Sequence, residues 1–224
     1  SGYEVTVLAL TDGREVYELP ASQDHKPIGE GNTGANTGGM GVVCPHPSFS
    51  EELIEEFRKT ILRPTLDGIQ EEGLENRGIL YFGLMVTPTG INLLEYNVRL
   101  GDLEAQAELP LIDSDFADLL VHTARGELGS SKVRSEPPVA AGGRASCVVV
   151  AACGGYPGSY ETGDPVYGIE DCENPVFLAG ARKQDDRIVT AGGRVLSVCG
   201  LGETAEAARE SAYRDMARIS FSGM

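Results

Sequence analysis

Residues 79–98 read ILYFGLMVTPTGINLLEYNV, and this stretch decides how the first half of the chain folds. Residues 79–87 and 91–98 are rich in β-branched, aromatic and aliphatic side chains, which are typical of strands. Between them lies Thr87-Pro88-Thr89-Gly90, and proline and glycine at such positions favour a tight turn. The stretch therefore predicts an antiparallel β-hairpin.

The second strand of this hairpin leads into LEYNVRLGD at residues 94–102. Successive side chains of a strand point to opposite faces, so Glu95, Asn97 and Arg99 should share one face. The Cα atoms of Glu95 and Asn97 lie roughly 6.5 Å apart in an extended chain, close enough for both side chains to reach one ion. A carboxylate and an amide oxygen are hard ligands suited to Mg²⁺, and an arginine can neutralise a phosphate.

The same three residue types are also common on a solvated strand face, and a lone E-x-N-x-R run favours that interpretation. Here the run lies between apolar residues, follows a hairpin and continues into Gly101-Asp102-Leu103-Glu104. This context favours a functional site.

A second candidate site begins with Gln23-Asp24-His25-Lys26 and continues into GEGNTGANTGGMG at residues 29–41. Six glycines in residues 27–41 predict a long loop, too glycine-rich for a helix or a regular strand. Glycines let backbone N–H groups approach an anion, Lys26 supplies a cation, and His25 supplies a donor or an acid–base group. A flexible surface loop explains the composition equally well. The pattern is neither a Walker A loop nor a dinucleotide-binding fingerprint.

The remaining periodic segments predict further strands and helices. Strands are expected at residues 3–10, 16–19, 145–152, 176–181, 187–190 and 194–200. A first helix should start at the capping box Ser48-Phe49-Ser50-Glu51, and Pro64 should end or kink it before a second stretch. Another should be capped by Asp113 or Ser114 and end at Gly126. A last helix should start near Ala205, with Ala208, Ala212 and Met216 on one face.

The polar segment from residue 129 to residue 144 contains Pro137-Pro138 and Gly142-Gly143, which predicts a domain boundary. We therefore expect one domain at residues 1–128, a linker at 129–143, and a small β-rich domain closed by a helix at 144–224. The predicted fold class is α+β. Glycine pairs near residues 154 and 192 predict turns between strands.

Composition excludes some partners. The net charge of −16 argues against binding to nucleic acid or an anionic membrane surface, since both carry the same sign. No apolar run approaches the roughly 20 residues of a membrane-spanning helix, and the N-terminus has no pattern of a secretory signal. The five cysteines include no C-x-x-C pair and predict buried, reduced thiols in a cytoplasmic compartment, without excluding an organelle.

Taken together, these motifs resemble the glycinamide ribonucleotide synthetase family, the phosphoribosylamine–glycine ligases, which are ATP-grasp enzymes of purine biosynthesis. The matching stretches are QDHK (23–26), GEGNTGANTGGMG (29–41), LEYNVRLGD (94–102), GGYPGSY (154–160) and AGGRVLSV (191–198). They occur in family order and cover nearly the whole chain. The resemblance implies the later part of an ATP-grasp domain, an antiparallel sheet with helices, followed by the family's C-terminal domain.

The resemblance also implies an activity and a set of site residues. Glycine would be joined to 5-phosphoribosylamine through a glycyl phosphate, with ATP as co-substrate and Mg²⁺ or Mn²⁺ as the metal. By position, Glu95 and Asn97 correspond to metal ligands, while Arg99 and Asp102 border the phosphates as catalytic residues. The residues implied on the substrate side are Asp24, His25, Lys26, Asn36, Thr37, Gly38, Gly39, Met40 and Gly41.

The chain departs from the family pattern at several positions. The family usually has a basic residue at Pro27, an acid at Asn32 and a proline at Ala35, and it reads FGDPET where residues 100–105 read LGDLEA. The family's N-terminal nucleotide-fold domain and adenine-clamping portion have no counterpart here, nor does its C-terminal extension. We therefore expect a fragment that is inactive alone and needs the N-terminal part of the same protein.

Two alternatives remain open at this point. Pro27 and Leu103 also fit a non-catalytic homologue that acts as a binding or scaffolding module. A different ATP-grasp ligase, with another acid or amine, is disfavoured by the pairing of QDHK with NTGGMG.

Overall fold

The structure is a computed structural model, and it describes residues 2–130 and 143–224. The strands in chain order are β1 (Tyr3–Thr11), β2 (Val16–Glu18), β3 (Gln23–Asp24), β4 (Pro27–Gly29), β5 (Thr33–Asn36), β6 (Gly41–Cys44), β7 (Gly78–Thr87), β8 (Gly90–Asn97), β9 (Ala145–Ala152), β10 (Val176–Leu178), β11 (Ala181–Gln184), β12 (Arg187–Thr190) and β13 (Arg194–Gly202). The α-helices are α1 (Glu51–Phe57), α2 (Arg63–Glu71), α3 (Glu104–Glu108), α4 (Phe116–Arg125) and α5 (Ala205–Met216), and the π-helical segment Arg58–Leu62 joins α1 to α2. Within the described ranges, no helix combines the length and the apolar character needed to cross a membrane.

The chain forms two compact units. The first contains the described residues of Ser1–Gln23 and Cys44–Gly143, and the second contains Asp24–Val43 and Arg144–Met224. The sequence shows no change of composition at residue 24. The predicted domain at 1–128 therefore includes residues 24–43, which in the structure belong to the second unit. Most of the linker predicted at 129–143 lies outside the described residues.

The first unit is built on a four-stranded antiparallel sheet in the order β2-β1-β7-β8. The predicted hairpin is confirmed, since β7 and β8 pair from Thr87 opposite Gly90 to Tyr81 opposite Asn97. β1 lies beside β7 and is buried along almost its whole length. The central strands therefore fix the sheet, and β8 forms one of its edges.

Both faces of this sheet are covered, and β1 shows why. Its odd-numbered residues, among them Val5 and Val7, pack in a cluster with Phe57 from α1. Its even-numbered residues Leu8 and Leu10 belong to another cluster on the opposite face. The strand therefore reads as a nearly continuous apolar run rather than an alternation of apolar and polar residues.

The helices of the first unit begin later than the sequence predicted. α1 is capped by Ser50, whose side chain accepts from the Leu53 N–H, so the predicted cap at Ser48 was wrong. Pro64 does not end the helix; the backbone widens into the π-helical segment just before it. Proline has no N–H to offer the preceding turn, and a shift to i→i−5 bonding accommodates that loss.

α4 also begins after its predicted position. Its cap is Asp115, whose Oδ1 accepts from the N–H groups of Ala117 and Asp118, rather than Asp113 or Ser114. The helix ends at Gly126, as the sequence predicted, and this glycine has a left-handed backbone. The short helix α3 was not predicted.

The second unit contains a five-stranded sheet in the order β10-β13-β9-β6-β3. The final helix α5 was predicted correctly, including the burial of Ala208, Ala212 and Met216. A Cβ at Gly200 would lie 2.1 Å from the Ala208 oxygen and 2.3 Å from the Ala212 nitrogen. The glycine in β13 therefore lets α5 lie directly against the strand. Helices and antiparallel pairs in both units confirm the predicted α+β class.

Two parts of the second unit differ from the sequence prediction. The strand predicted at residues 176–181 is divided into β10 and β11, because the chain turns at Gly180. The glycine-rich segment is not structureless, since β4 and β5 pair between Pro27 and Asn36. Positive φ angles at Gly31, Asn32 and Gly34 turn the chain, so that the glycines help the strands to pair.

The five cysteines form no disulfide bond, and all except Cys172 are buried. Burial raises the pKa of the Cys199 thiol to about 12. A thiol with this pKa stays protonated at neutral pH and behaves as a small hydrophobe, as the sequence predicted.

A buried carboxylate joins α5 to the loop before β10. Asp215 Oδ2 accepts from the backbone N–H groups of Glu173 and Asn174, and Asp215 Oδ1 accepts from Arg218 Nη1 at 2.8 Å. Burial by itself would raise the pKa of Asp215, but the hydrogen bonds from Asn174 and Glu173 and the Arg218 guanidinium hold it below its ordinary value. The charged form is thus favoured by folding.

We expect the free energy of unfolding of the second unit to decrease as the pH falls below about 4, where an unperturbed aspartate becomes protonated. A lowered pKa in the folded state stabilises above that pH, and the contribution is lost on acidification. Asp215→Asn should lose this pH dependence and about 1.5–3 kcal/mol at pH 7. Urea unfolding at pH 7 and pH 3.5, monitored through hydrogen exchange of the β13 amides, measures both effects. The exposed Asp185→Asn is the matched control, and equal pH slopes in Asp215→Asn and the unsubstituted protein would contradict the prediction.

Candidate functional site

The polar residues at the end of β8 lie together, as the period of two predicted. Asn97 Nδ2 donates to Glu95 Oε1 at 3.3 Å. Glu95 is exposed and Asn97 is half-buried, so both side chains are accessible from solvent. A carboxylate and an amide at this distance can contribute oxygens to one hard cation.

Gly83 on the neighbouring strand makes room for Glu95. The two residues are opposite each other in the ladder, and a Cβ at Gly83 would lie 2.9 Å from Glu95 Cγ. The pairing also shifts at this point, because Leu84 pairs with Leu93 and leaves Leu94 as the extra residue of a bulge. Bulges often redirect a side chain next to a functional site.

The apolar neighbours of the polar run are exposed to solvent. Leu94, Tyr96 and Val98 are 53%, 48% and 75% exposed. Among the described residues β8 is an edge strand of its sheet, and edge strands are less covered than central ones. Tyr96 is held locally by an edge-to-face contact with Phe82 and a 2.7 Å hydrogen bond to Thr65.

The donor set fits a magnesium ion held jointly with a phosphorylated ligand. Mg²⁺ usually takes one or two protein oxygens and completes its octahedral shell with water and phosphate oxygens. Across residues 2–130 and 143–224, no three or more His, Cys, Asp or Glu side chains converge into an all-protein metal cage. Glu95 and Asn97 offer the small, oxygen-only set that such a site needs.

Arg99 lies beside this pair and is supported by an aromatic ring. Its guanidinium carbon is 5.8 Å from the centre of the Tyr81 ring, and Tyr81 is opposite Asn97 in the sheet. Arg99 Nη1 also donates to the Leu100 oxygen at 3.0 Å. A cation over an aromatic face gains electrostatic attraction, so Tyr81 holds the charge near the polar end of β8.

Tyr81 is itself fixed by a buried carboxylate that the sequence analysis did not single out. Glu104 Oε1 accepts from Tyr81 Oη at 3.0 Å and from Thr6 Oγ1 at 3.3 Å. Burial, followed by the charge of Glu104, raises the pKa of the Tyr81 hydroxyl, so that it remains a hydrogen-bond donor. Gly101 allows Glu104 to fold back, since a Cβ there would lie 2.2 Å from Glu104 Oε2.

A second buried acid lies one turn further along α3. Ser22 Oγ donates to Glu108 Oε1 at 2.8 Å, while no hydrogen bond to Oε2 is found among the described residues. Burial raises the pKa of Glu108 well above its usual range, and Glu104 acts in the same direction. The neutral acid is therefore favoured at Glu108. The i, i+4 spacing of the two glutamates was the only sequence signal for this arrangement.

Asp102 is exposed at the turn before α3, where its Oδ1 accepts from Gln106 Nε2 at 3.2 Å. Leu103, which replaces the family's proline, is buried with a φ of −127°. Proline is restricted to a φ near −65°, so a proline could not adopt the backbone that Leu103 has here.

The predicted substrate-side residues lie in the second unit, where the two motifs pair with each other. His25 N–H donates to the Gly41 oxygen, and Met40 N–H donates to the His25 oxygen, both at 2.8 Å. The Lys26 oxygen accepts from the Thr37 N–H at 2.9 Å and from Thr37 Oγ1 at 2.7 Å. The structure therefore joins QDHK and NTGGMG into one local element.

The backbone N–H groups of residues 37–40 are not directed at an anion, although the sequence analysis proposed such a role for glycines. All four donate within the protein: Thr37 to Lys26 O, Gly38 to Tyr156 Oη, Gly39 to Thr37 Oγ1, and Met40 to His25 O. These glycines serve close packing instead. A Cβ at Gly41 would lie 2.7 Å from the Val148 oxygen.

Two family models match the chain. "Phosphoribosylglycinamide synthetase, ATP-grasp (A) domain" matches residues 1–105, and "Phosphoribosylglycinamide synthetase, C domain" matches residues 145–224. A phosphoribosylamine–glycine ligase of Clostridium acetobutylicum is 44% identical over all of this chain and 52% of its own length. A ligase of the same name from Synechocystis is 46% identical, over all of this chain and 53% of its own length.

Solved structures agree with these matches. The crystal structure of a phosphoribosylamine–glycine ligase from Thermotoga maritima has a TM-score of 0.83 and 37% identity, covering all of this chain and 54% of that one. The chain thus spans about half the length of the relatives it matches.

We expect Glu104→Ala to lower the free energy of unfolding by about 2–4 kcal/mol, because it leaves two buried hydroxyls without their acceptor. Glu104→Gln keeps an acceptor oxygen of the same shape and should cost less. Urea unfolding of the two variants measures the difference. Glu75→Ala, in an exposed loop, should change the value by less than about 0.5 kcal/mol. An equally small effect of Glu104→Ala would show that the carboxylate does not hold Tyr81.

Proposed function

The chain belongs to the phosphoribosylglycinamide synthetase family, and on that premise we propose that it forms the C-terminal half of a phosphoribosylamine–glycine ligase. The missing part of the ATP site would come from an N-terminal portion of the same protein. ATP, glycine and 5-phosphoribosylamine are the proposed substrates. A cytoplasmic location is part of this proposal, in keeping with five cysteines that form no disulfide bond.

The observation that carries the proposal is the polar end of β8. Glu95 and Asn97 lie in contact at 3.3 Å, and the Arg99 guanidinium lies over the ring opposite Asn97. Two hard oxygen ligands beside a fixed cation are what a metal–phosphate group requires. The match to ligase relatives along the whole chain supports the same assignment.

The proposed reaction has two steps. The glycine carboxylate attacks the γ-phosphorus of ATP, the bond to the β-phosphate oxygen breaks, and glycyl phosphate and ADP form. The amine of 5-phosphoribosylamine then attacks the glycyl carbonyl and loses a proton, and the C–O bond to phosphate breaks. The products are the amide, ADP, inorganic phosphate and the proton released from the amine.

We assign the residues of this chain to binding and charge stabilisation. Glu95 and Asn97 would hold Mg²⁺ or Mn²⁺, which when bound neutralises the phosphate charge of the nucleotide. Arg99 would stabilise negative charge on the transferred phosphoryl group, and Asp102 would border the phosphates beside it. Preorganised charge of this kind is effective because it needs no rearrangement during the reaction.

The second group of residues would form the substrate side. Lys26 is a cation within the paired motifs, and His25 precedes it with its backbone bonded to Gly41 and Met40. We propose that these side chains contact the glycine or ribosylamine substrate. Asp24 and the segment 36–41 would complete this side, with residues 37–40 acting through their fold rather than through free N–H groups.

In the full-length protein, Glu95→Ala and Asn97→Ala should each lower kcat by roughly 10²-fold or more, the scale for loss of one electrostatic contact at the reacting group. ADP formation that depends on both glycine and 5-phosphoribosylamine is the measurement. Asn92→Ala, on the same strand near the hairpin turn, and Glu75→Ala are the matched controls and should retain activity. Residues 1–224 alone should show no turnover.

Different outcomes separate the competing interpretations. Full activity of Glu95→Ala would remove the metal assignment. Turnover by residues 1–224 alone would remove the expectation of an incomplete site. Absence of turnover in the unsubstituted full-length protein, together with calorimetric binding of Mg·ATP, would favour a non-catalytic binding module.

A further inference from the structure

Two side chains far away in sequence hold the turn at residues 37–40, here called the glycine turn. Arg194, the first residue of β13, donates from Nη1 to the Gly38 oxygen at 2.5 Å and to the Gly39 oxygen at 3.2 Å. Tyr156 Oη accepts from the Gly38 N–H at 3.3 Å. Gly38 is therefore bonded at both its N–H and its carbonyl by residues of the GGYPGSY and AGGR motifs.

The packing of these motifs depends on two glycines. A Cβ at Gly38 would lie 2.9 Å from Arg194 Nη2 and 3.0 Å from its guanidinium carbon. A Cβ at Gly193 would lie 2.2 Å from Tyr156 Cδ2 and 3.0 Å from Tyr160 Cε1. The sequence predicted a turn at Gly193 and a substrate-side loop at Gly38; in the structure the glycine at each position makes room for an arginine or a tyrosine that reaches the glycine turn.

Hydrogen bonds connect the glycine turn to His25 and Lys26. The Lys26 oxygen receives two hydrogen bonds from Thr37, and the His25 oxygen receives one from Met40. Gly39 lies between these donors and is bonded to Arg194. Only the short backbone stretch 37–40 therefore separates Arg194 from the two residues proposed to meet substrate.

We infer that Arg194 and Tyr156 are positioning residues, which fix the backbone of His25 and Lys26 through the glycine turn. The inference rests on the proposed function, in which His25 and Lys26 face the substrate. Arginine suits this role because its guanidinium is always charged and presents several donors in a rigid fork. Hydrogen bonds from a charged donor are stronger than neutral ones, so a half-buried arginine can hold two carbonyls in place.

The first test measures the turn itself and needs no substrate. In the full-length protein, Arg194→Gln should accelerate hydrogen exchange at the amides of residues 37–40 by roughly 10- to 100-fold, the scale for loss of a charged hydrogen bond. Tyr156→Phe keeps the ring and removes only the hydroxyl, so it should accelerate exchange at Gly38 chiefly and by a smaller factor. Arg194→Lys keeps the charge but loses the fork, and should fall between Arg194→Gln and the unsubstituted protein.

Two matched controls carry the same chemical changes elsewhere in the second unit. Arg182→Gln removes an exposed arginine of β11 whose side chain contacts Gln184. Tyr213→Phe removes a hydroxyl from an exposed tyrosine of α5. Neither should change exchange at residues 37–40. Unchanged exchange in both Arg194→Gln and Tyr156→Phe overturns the inference, whether or not the protein is a ligase.

The second test measures substrate binding in the same variants. Arg194→Gln should raise the KM for glycine or 5-phosphoribosylamine by roughly tenfold or more, with little change in the KM for Mg·ATP, because the perturbed element lies on the proposed substrate side. Faster exchange together with this raised KM supports the inference. Faster exchange with unchanged KM values overturns the positioning role and leaves the ligase proposal standing. If the unsubstituted protein shows no turnover, the proposed function fails, and with it the role toward substrate, while the exchange data still decide whether Arg194 fixes the turn.

Discussion

The pairing of β7 with β8 is the constraint on which the proposed metal site depends. A register slip of one residue in a strand exchanges its two faces, so the register decides which side chains meet. β7 cannot slip, because its side chains are buried and it is also paired along its length with β1. The bulge at Leu94 then sets Glu95 opposite Gly83 and Asn97 opposite Tyr81. The carboxylate gains room and the arginine that follows gains an aromatic ring.

Positively charged side chains are far fewer than negatively charged ones in this chain. With 34 acidic and 18 Lys and Arg residues, it cannot attract a phosphorylated ligand through its overall field. Attraction must come from a few local cations and a metal. Glu104 and Glu108 are not free carboxylates that would repel such a ligand. Glu104 is bonded to two hydroxyls, and burial favours the neutral form of Glu108. Acidic side chains near the polar end of β8 therefore stabilise the structure, in addition to the proposed ligation of a metal by Glu95.

Sequence reasoning was most reliable where a local rule has a single outcome. Strand-forming side chains on both sides of Pro88 and Gly90 predicted the hairpin, and the spacing of three small or apolar residues predicted the buried face of α5. It failed where neighbouring residues compete for one task. Ser48 and Ser50 can both cap a helix, and in the structure it is the Ser50 side chain that accepts from the Leu53 N–H. The loop predicted for residues 27–41 was wrong where β4 pairs with β5. Glycine loses more conformational entropy on ordering than other residues, and here tertiary contacts offset that cost.

By itself the sequence determined which residues are proposed to carry the chemistry of this protein and how they are spaced along each strand. Family motifs identified Glu95, Asn97 and the QDHK segment, because the types and order of those residues are local properties. Only the tertiary structure decided what holds them. Arg194 is 156 residues from Gly38 in the chain, and Glu104 is 98 residues from Thr6. Contacts over such separations depend on how strands pair and sheets are covered, and no local pattern encodes that information.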